Sequence, residues 1–440
     1  MCWSRGIVPP IALREQITIE CPDRIGPWPH DPIGACQAAI RSHGQRCSTA
    51  TLLSALMKDL QTIARRAREL DEANTPYVLA TVVQTSGSVY RGPGTRMLIE
   101  QNMQSFGSIS GGCLEGDIRE NSNEVFADGH TRLLHYDTTS DDDIVLGTGL
   151  GCSGTIDVLL ERLPQHNNFH YPDALYESVF ACRRGVLATI FAVAGDSNAQ
   201  PGQHLILDEA GNASDDIADI PLRQLVIGAA REALTTVHRT HLPVAPGLTH
   251  HCDLSHSKAS VLIEPLLPPI ALHIFGAGYD AVPLAHFAGE LGWRVSVADH
   301  RAPYARAERF PSAHEVQLVQ PGHLPENLTF DNRSVAVIMT HNYLQDQALL
   351  AGLIESPLAY LGVLGPHGRT QRLLSDLKKS GVTASDAQLQ QLFSPVGLDI
   401  GAETSEAIAL SILAEIQAVL TGRHGGQLSA HQGPIHSRPQ

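Results

Sequence analysis

Two cysteines in this chain sit where the main chain is most open. "SFGSISGGCLEGDI", Ser105 to Ile118, places Cys113 directly behind Gly111 and Gly112 and just ahead of an acidic, helix-like stretch. "LGTGLGCSG", Leu146 to Gly154, sets Cys152 among glycines in the same manner. A thiolate is the soft ligand a protein offers to a soft metal, and glycines let a bulky group approach the backbone. A helix start favours the thiolate through its dipole, while Glu115 and Asp117 in the first turn oppose that effect. Cys113 is thus a candidate to bind a soft metal or carry sulfur, and two such loops in one domain are expected to converge. The plain alternative is a small residue chosen for tight packing.

A second pattern suits phosphate. Gly276, Gly278 and Ala281 make GxGxxA between the strand "ALHIF" and a helix. The first glycine permits the tight turn, the second admits a phosphate to the backbone, and the alanine lets helix and strand pack closely. Amides at the helix start favour an anion. Asp299 ends the next strand roughly 20 residues on, the spacing of a ribose-binding carboxylate. "MTHNYLQDQ" puts His341 and Asp346 at the end of a sheet strand, where ligands enter open α/β folds. Arg91 and Arg96, around the turn in "RGPGTR", are candidates to hold an anion by forked hydrogen bonds, or else two solvated arginines. Thr404 reads as a helix cap with Glu403 and Glu406 near its first turn, and Asp399 precedes it. "THHCDLSH" gathers His250, His251, Cys252 and His256, but the spacing fits no zinc pattern.

These residues need elements to position them. Residues 1–50 lack periodicity and read as an extension, partly disordered. From 51 to 266 an amphipathic helix with Leu53, Leu60 and Ile63 precedes strands such as "YVLATVVQT", "RMLIE" and "TRLLHYD", a further strand pair, one helix and a His-rich loop. Prolines 265, 268 and 269 punctuate the chain before a domain at 267–425, where strands and helices alternate; 426–440 is a tail. The fold class is α/β: a mixed α+β front domain, then a Rossmann-like doubly wound parallel sheet.

At 440 residues, two or three domains of about 150 residues each are expected. A net charge of −15 without a basic block argues against nucleic acid as a partner. No run of roughly 18 apolar residues suggests a membrane span, and Pro9 and Pro10 break the apolar start that a secretory signal needs. Eight cysteines without CxxC spacing point to reduced thiols in the cytoplasm.

Taken together, "ATVVQTSGSVYRGPGTRMLI", "GSISGGCLEGDI", "GLGCSGTIDVLLE", "HIFGAGYDAVPLAHFAGELGWRVSVADH", "VIMTHNYLQD", "YLGVLGPHGRT" and "SPVGLDIGAETSEAIALSILAEI" resemble the XdhC/CoxI family over about residues 54–436. These are accessory proteins of molybdenum hydroxylases such as xanthine dehydrogenase. The resemblance implies a chaperone more than a catalyst. It implies binding of the molybdenum cofactor (molybdopterin), help with its sulfuration by a cysteine desulfurase, and delivery to the hydroxylase apoenzyme. Carried onto this chain, it implicates Gly111, Gly112, Cys113 with molybdenum at its sulfur, Glu115, Cys152, the turn Gly276, Gly278 and Ala281, and His341, Asp346, Asp399 and Glu403. After "YLGVLG" only Arg369 stands where several arginines are expected. A homodimer is a reasonable expectation. The rivals are an NAD(P)-dependent oxidoreductase, with NAD(P) or another nucleotide at the glycine turn, and a redox or metal module on Cys113 and Cys152.

Overall fold

The computed structural model describes residues 49–87, 89–137, 154–164, 169–237, 247–254 and 257–430, all within one compact unit, residues 47–440. Cys152 and His256 lie outside the described residues.

The front half begins with α1 (Thr49–Glu72), β1 (Tyr77–Gly87), β2 (Arg96–Glu100), β3 (Ser105–Gly107), α2 (Glu115–Asp128), β4 (Arg132–Asp137) and β5 (Gly154–Leu163). After α3 (Pro172–Phe180) come β6 (Gly185–Gly195), β7 (His204–Asp208), β8 (Ala213–Asp215), α4 (Ile220–Val237), β9 (Leu248–Asp253) and β10 (Ser257–Leu266). The strands form two five-stranded antiparallel sheets, ordered β3-β2-β1-β5-β4 and β8-β7-β6-β10-β9. The two orders are the same five positions used twice, each with a helix between its third and fourth strands.

The sequence carries this duplication. "YVLATVV" in β1 answers "GVLATIF" in β6, and Pro93-Gly94 answers Pro201-Gly202. Gly94 donates to the Val82 carbonyl at 2.8 Å and Gly202 to that of Ile190 at 2.8 Å, so the turns are equivalent. β-Branched residues pack both sheets: Val78, Val82 and Val158 lie in one core, Val186, Ile190 and Val261 in the other. The His-rich segment expected as a loop is instead β9, because its backbone pairs with β10 from Leu248↔Ile263 to Asp253↔Lys258.

The rear half is the expected Rossmann sheet. β11 (Ala271–Phe275), β12 (Arg294–Asp299), β13 (Glu315–Leu318), β14 (Ser334–Ile338), β15 (Tyr360–Val363) and β16 (Leu392–Phe393) are all parallel, ordered β13-β12-β11-β14-β15-β16. α5 (Ala281–Glu290) and α9 (Ser405–Leu420), the latter following the short α8 (Asp386–Gln390), cover one face, packing on Leu272, Ile274, Val295 and Val335. On the other, α6 (Tyr343–Leu353) and α7 (His367–Lys379) pack on Phe275, Ala336 and Ile338. Burial on both faces is why these strands read as continuous apolar runs.

Several hydrogen bonds among the described residues that join the halves fall at one edge of this sheet. Gln61 Nε2 donates to the Gly292 carbonyl at 2.8 Å, and Arg294 Nη1 lies 3.1 Å from Cys182 Sγ. Lys58 pairs with Glu290, and Arg184 with Asp331 and Asn332. Residues 290–294 and 331–332 stand at the N-terminal ends of β12 and β14. The glycine turn after β11 opens at the opposite edge, a strand length of roughly 17 Å away.

Candidate functional site

Cys113 is an exposed free thiol on the loop between β3 and α2. Gly111 and Gly112 precede it with φ of +82° and +122°, values that L side chains rarely adopt. A Cβ at Gly111 would lie 3.1 Å from the Tyr90 ring, whereas one at Gly112 would meet open space. The loop is open to a bulky ligand on the Gly112 side.

What holds the loop is Glu115, the first residue of α2. Its carboxylate accepts six hydrogen bonds, from the hydroxyls of Ser108 and Ser110 and the amides of Ile109, Ser110, Gly111 and Gly112. The Ser110 hydroxyl oxygen in turn accepts the amides of Cys113 at 3.1 Å and Leu114 at 2.8 Å. Partial burial opposes ionisation of Glu115, but the Ser110 amide and the Ser110 and Ser108 hydroxyls outweigh it and hold the carboxyl at about 2. The loop's backbone donors are therefore already filled. Tyr136, near the end of β4, donates to Asp117 Oδ2 at 2.6 Å and ties that strand to the first turn of α2.

Arg91 and Arg96 are placed for structure. Arg91 Nη1 donates to Asp59 Oδ2 at 2.8 Å. Arg96 lies in the interior and grips Glu264 with both terminal nitrogens, at 2.9 and 2.6 Å. The anion that Arg96 forks onto is a carboxylate of this chain, 168 residues away. The forked hydrogen bonds expected of this turn are made here within the chain, to Glu264.

At the rear, Gly276 has φ +112°, and a Cβ there would stand 2.5 Å from the Met339 carbonyl oxygen. Gly276→Ala is expected to lower stability by about 1–3 kcal/mol through backbone strain and overpacking, read as a drop in thermal midpoint. Ala281 is fully buried against the sheet, as its motif position requires. A Cβ at Gly278 would come no closer than 4.0 Å, to His341.

His341 adopts φ +58° beside this turn, its side chain exposed, with Nε2 3.5 Å from Asp280 Oδ2. Asp280 does not cap α5; its Oδ1 accepts from Ser405 at the start of α9. Thr404 caps α9 through the Ala407 amide at 3.2 Å, as expected. Asp399 and Glu403 are exposed on the segment leading into it. Asp346 is buried between the Thr340 hydroxyl and Arg369. Its position one turn after His341 places it behind the sheet edge, bound to those two partners.

Asp299 is likewise committed. Its Oδ2 accepts the Ala277 amide at 2.7 Å and Arg301 Nη2 at 2.7 Å, and its Oδ1 accepts the Arg301 amide at 2.8 Å and Nε at 3.0 Å. Burial opposes the charge, but these bonds hold the carboxyl below the usual range. Both oxygens that a ribose diol needs are occupied, so the residues do not fit NAD in its usual pose. Calorimetric titration with NAD+ or NADH is expected to give no saturation below roughly millimolar concentration, a Kd worth only about −4 kcal/mol. Sequence reading passed over Arg301, although it stands two residues after Asp299. It also passed over the internal repeat, whose paired "VLAT" strands and Pro-Gly turns were the available signal.

Known proteins share this architecture. The family model for the XdhC and CoxI family matches residues 70–137, and that for the XdhC Rossmann domain matches residues 272–416. The chain is 34% identical over 339 residues to a probable xanthine dehydrogenase subunit from Bacillus subtilis (strain 168), spanning 77% of this chain and 92% of that protein. It is 22% identical over 365 residues to "Molybdenum cofactor insertion chaperone PaoD" of Escherichia coli (strain K12), spanning 83% of this chain and 90% of the other. The fold superposes on a crystal structure of a xanthine dehydrogenase from Bacillus halodurans with a TM-score of 0.64 at 27% identity, covering 84% of this chain and 97% of that one.

Proposed function

This chain belongs to the XdhC and CoxI family, and from that premise we propose that it is a molybdenum cofactor chaperone serving a xanthine dehydrogenase-type hydroxylase. The cofactor is its cargo. The chain holds it, assists its sulfuration with a cysteine desulfurase, and passes it to the hydroxylase apoenzyme in the cytoplasm. The front domain, 51–266, handles the cargo, and the Rossmann domain, 267–425, is the rear half of the scaffold. A homodimer is part of the same reading.

The observation that carries it is the exposed thiol of Cys113 beside the open space at Gly112. A soft metal centre takes a thiolate in preference to the hard oxygen donors around it. The exposed Cys113 leaves one side of such a centre free for transfer to a second protein. The names of the two relatives agree with this role.

Co-expression of the full chain with cofactor-synthesis enzymes and an apo-hydroxylase tests it. The expected result is a pterin phosphate released from the purified chain, identified by mass spectrometry, and a complex with the hydroxylase. Protein that emerges free of pterin and does not activate the hydroxylase refutes the reading.

A further inference from the structure

The two copies of the five-stranded unit solve the same connection differently. In the second, β8 reaches α4 through a plain cap, where Asp219 accepts the Leu222 amide at 3.0 Å and the Ser197 hydroxyl at 2.7 Å. In the first, β3 reaches α2 through seven residues whose amides from 109 to 112 converge on Glu115. The fold alone does not require that convergence, since its duplicate manages without it. The convergence accompanies the thiol.

From this contrast we infer that Glu115 is the positioning residue for Cys113: its carboxylate fills the loop's backbone donors and so leaves the sulfur as the loop's contact with the cofactor. The inference rests on the cargo-binding role of Cys113. Two consequences separate it from simple capping. An anionic group of the cofactor finds no vacant amide at 109–112, so its phosphate is held elsewhere. The loop geometry, including φ of +122° at Gly112, persists before cargo arrives.

Amide hydrogen exchange on the full chain tests this without cofactor. In Glu115→Ala, exchange of residues 108–114 is expected to accelerate by about 10-fold or more while the sheets keep their protection. Sodium formate, a free carboxylate that fits the vacated nest, is expected to restore slow exchange; sodium chloride at equal ionic strength is not. Cofactor retention is expected to fall with the loop's order and return with formate. Glu115→Gln, which keeps the size but replaces one acceptor oxygen by a donor, is expected to exchange at an intermediate rate. Unchanged exchange in both variants overturns the inference, and so does a loosened loop that retains cofactor fully. A Cys113→Ala protein that keeps its cargo fails the proposed function instead, whatever the exchange experiment shows.

Discussion

Cys113→Ala protein will keep its thermal midpoint and lose cofactor by about 10-fold or more, a change worth about 1.4 kcal/mol or above in affinity. The fold is indifferent because the Cys113 side chain is exposed, and the bonds that shape its loop run through its amide and through Ser110 and Glu115. Retention is sensitive because the amides of residues 109–112 all face Glu115 and the remaining oxygens of the loop are hard donors that do not replace a sulfur. Cys113→Ser is expected to bind only slightly better than alanine, since a hydroxyl is a hard, neutral donor at neutral pH. The measurement is pterin released per chain, set against the melting curve of the same sample. Wild-type loading of the alanine variant would remove the thiol from the mechanism.

The loop's acid limit follows from Glu115. Its carboxyl is held at about 2 in the folded chain against an ordinary value of 4.5. A depressed value means that the stabilisation is complete above the ordinary value. It is lost as pH falls through about 2, so the lock holds across the neutral range.

The parallel sheet was the most legible part of the chain, and for a local reason. Its strands are buried on both faces and its glycine turn lies within one βαβ unit, so pattern and spacing suffice. The front half showed its strands but not their pairing. Antiparallel partners such as Tyr77↔Leu163 are far apart in sequence, and the repeated "VLAT" strands and Pro-Gly turns carry the hint that one sheet order recurs. Site residues divide the same way. Gly276 acts through its own backbone and Ala281 through its small side chain, and both could be read directly. For Arg96, Asp346 and Asp299 the residue type was visible but the partner was not, and each partner redirects the side chain inward. Glu115 looked like a charge that would weaken the thiolate. Its role as the centre of a backbone nest depends on a loop shape that only φ angles at two glycines reveal.

Arg96→Ala is expected to be the most damaging single change in the front half, at about 3–5 kcal/mol, because it strands the Glu264 carboxylate in the interior. The pair bridges the two sheets: Arg96 is on β2 and Glu264 on β10, their side chains only 4% and 7% exposed. The duplication predicts a counterpart, and His204 on β7 stands at the place of Arg96, with Glu161 on β5 at that of Glu264. Both His204 and Glu161 are 1% exposed, with Nε2 3.2 Å from Oε1. That contact lacks hydrogen-bond geometry, and neither atom has another partner among the described residues; Tyr171 instead stacks on the His204 ring at 3.9 Å and donates to Glu161 Oε2 at 3.0 Å. The two halves of the pseudo-symmetric tie are therefore unequal, and the arginine side is the stronger. Urea unfolding of Arg96→Ala, His204→Ala and the double variant Arg96→Met, Glu264→Leu checks the ranking. The double variant is expected to recover most of the loss, since it removes the charge together with its partner. A penalty below about 1 kcal/mol for Arg96→Ala, the range of exposed pairs, would show that the sheets are held by hydrophobic packing alone.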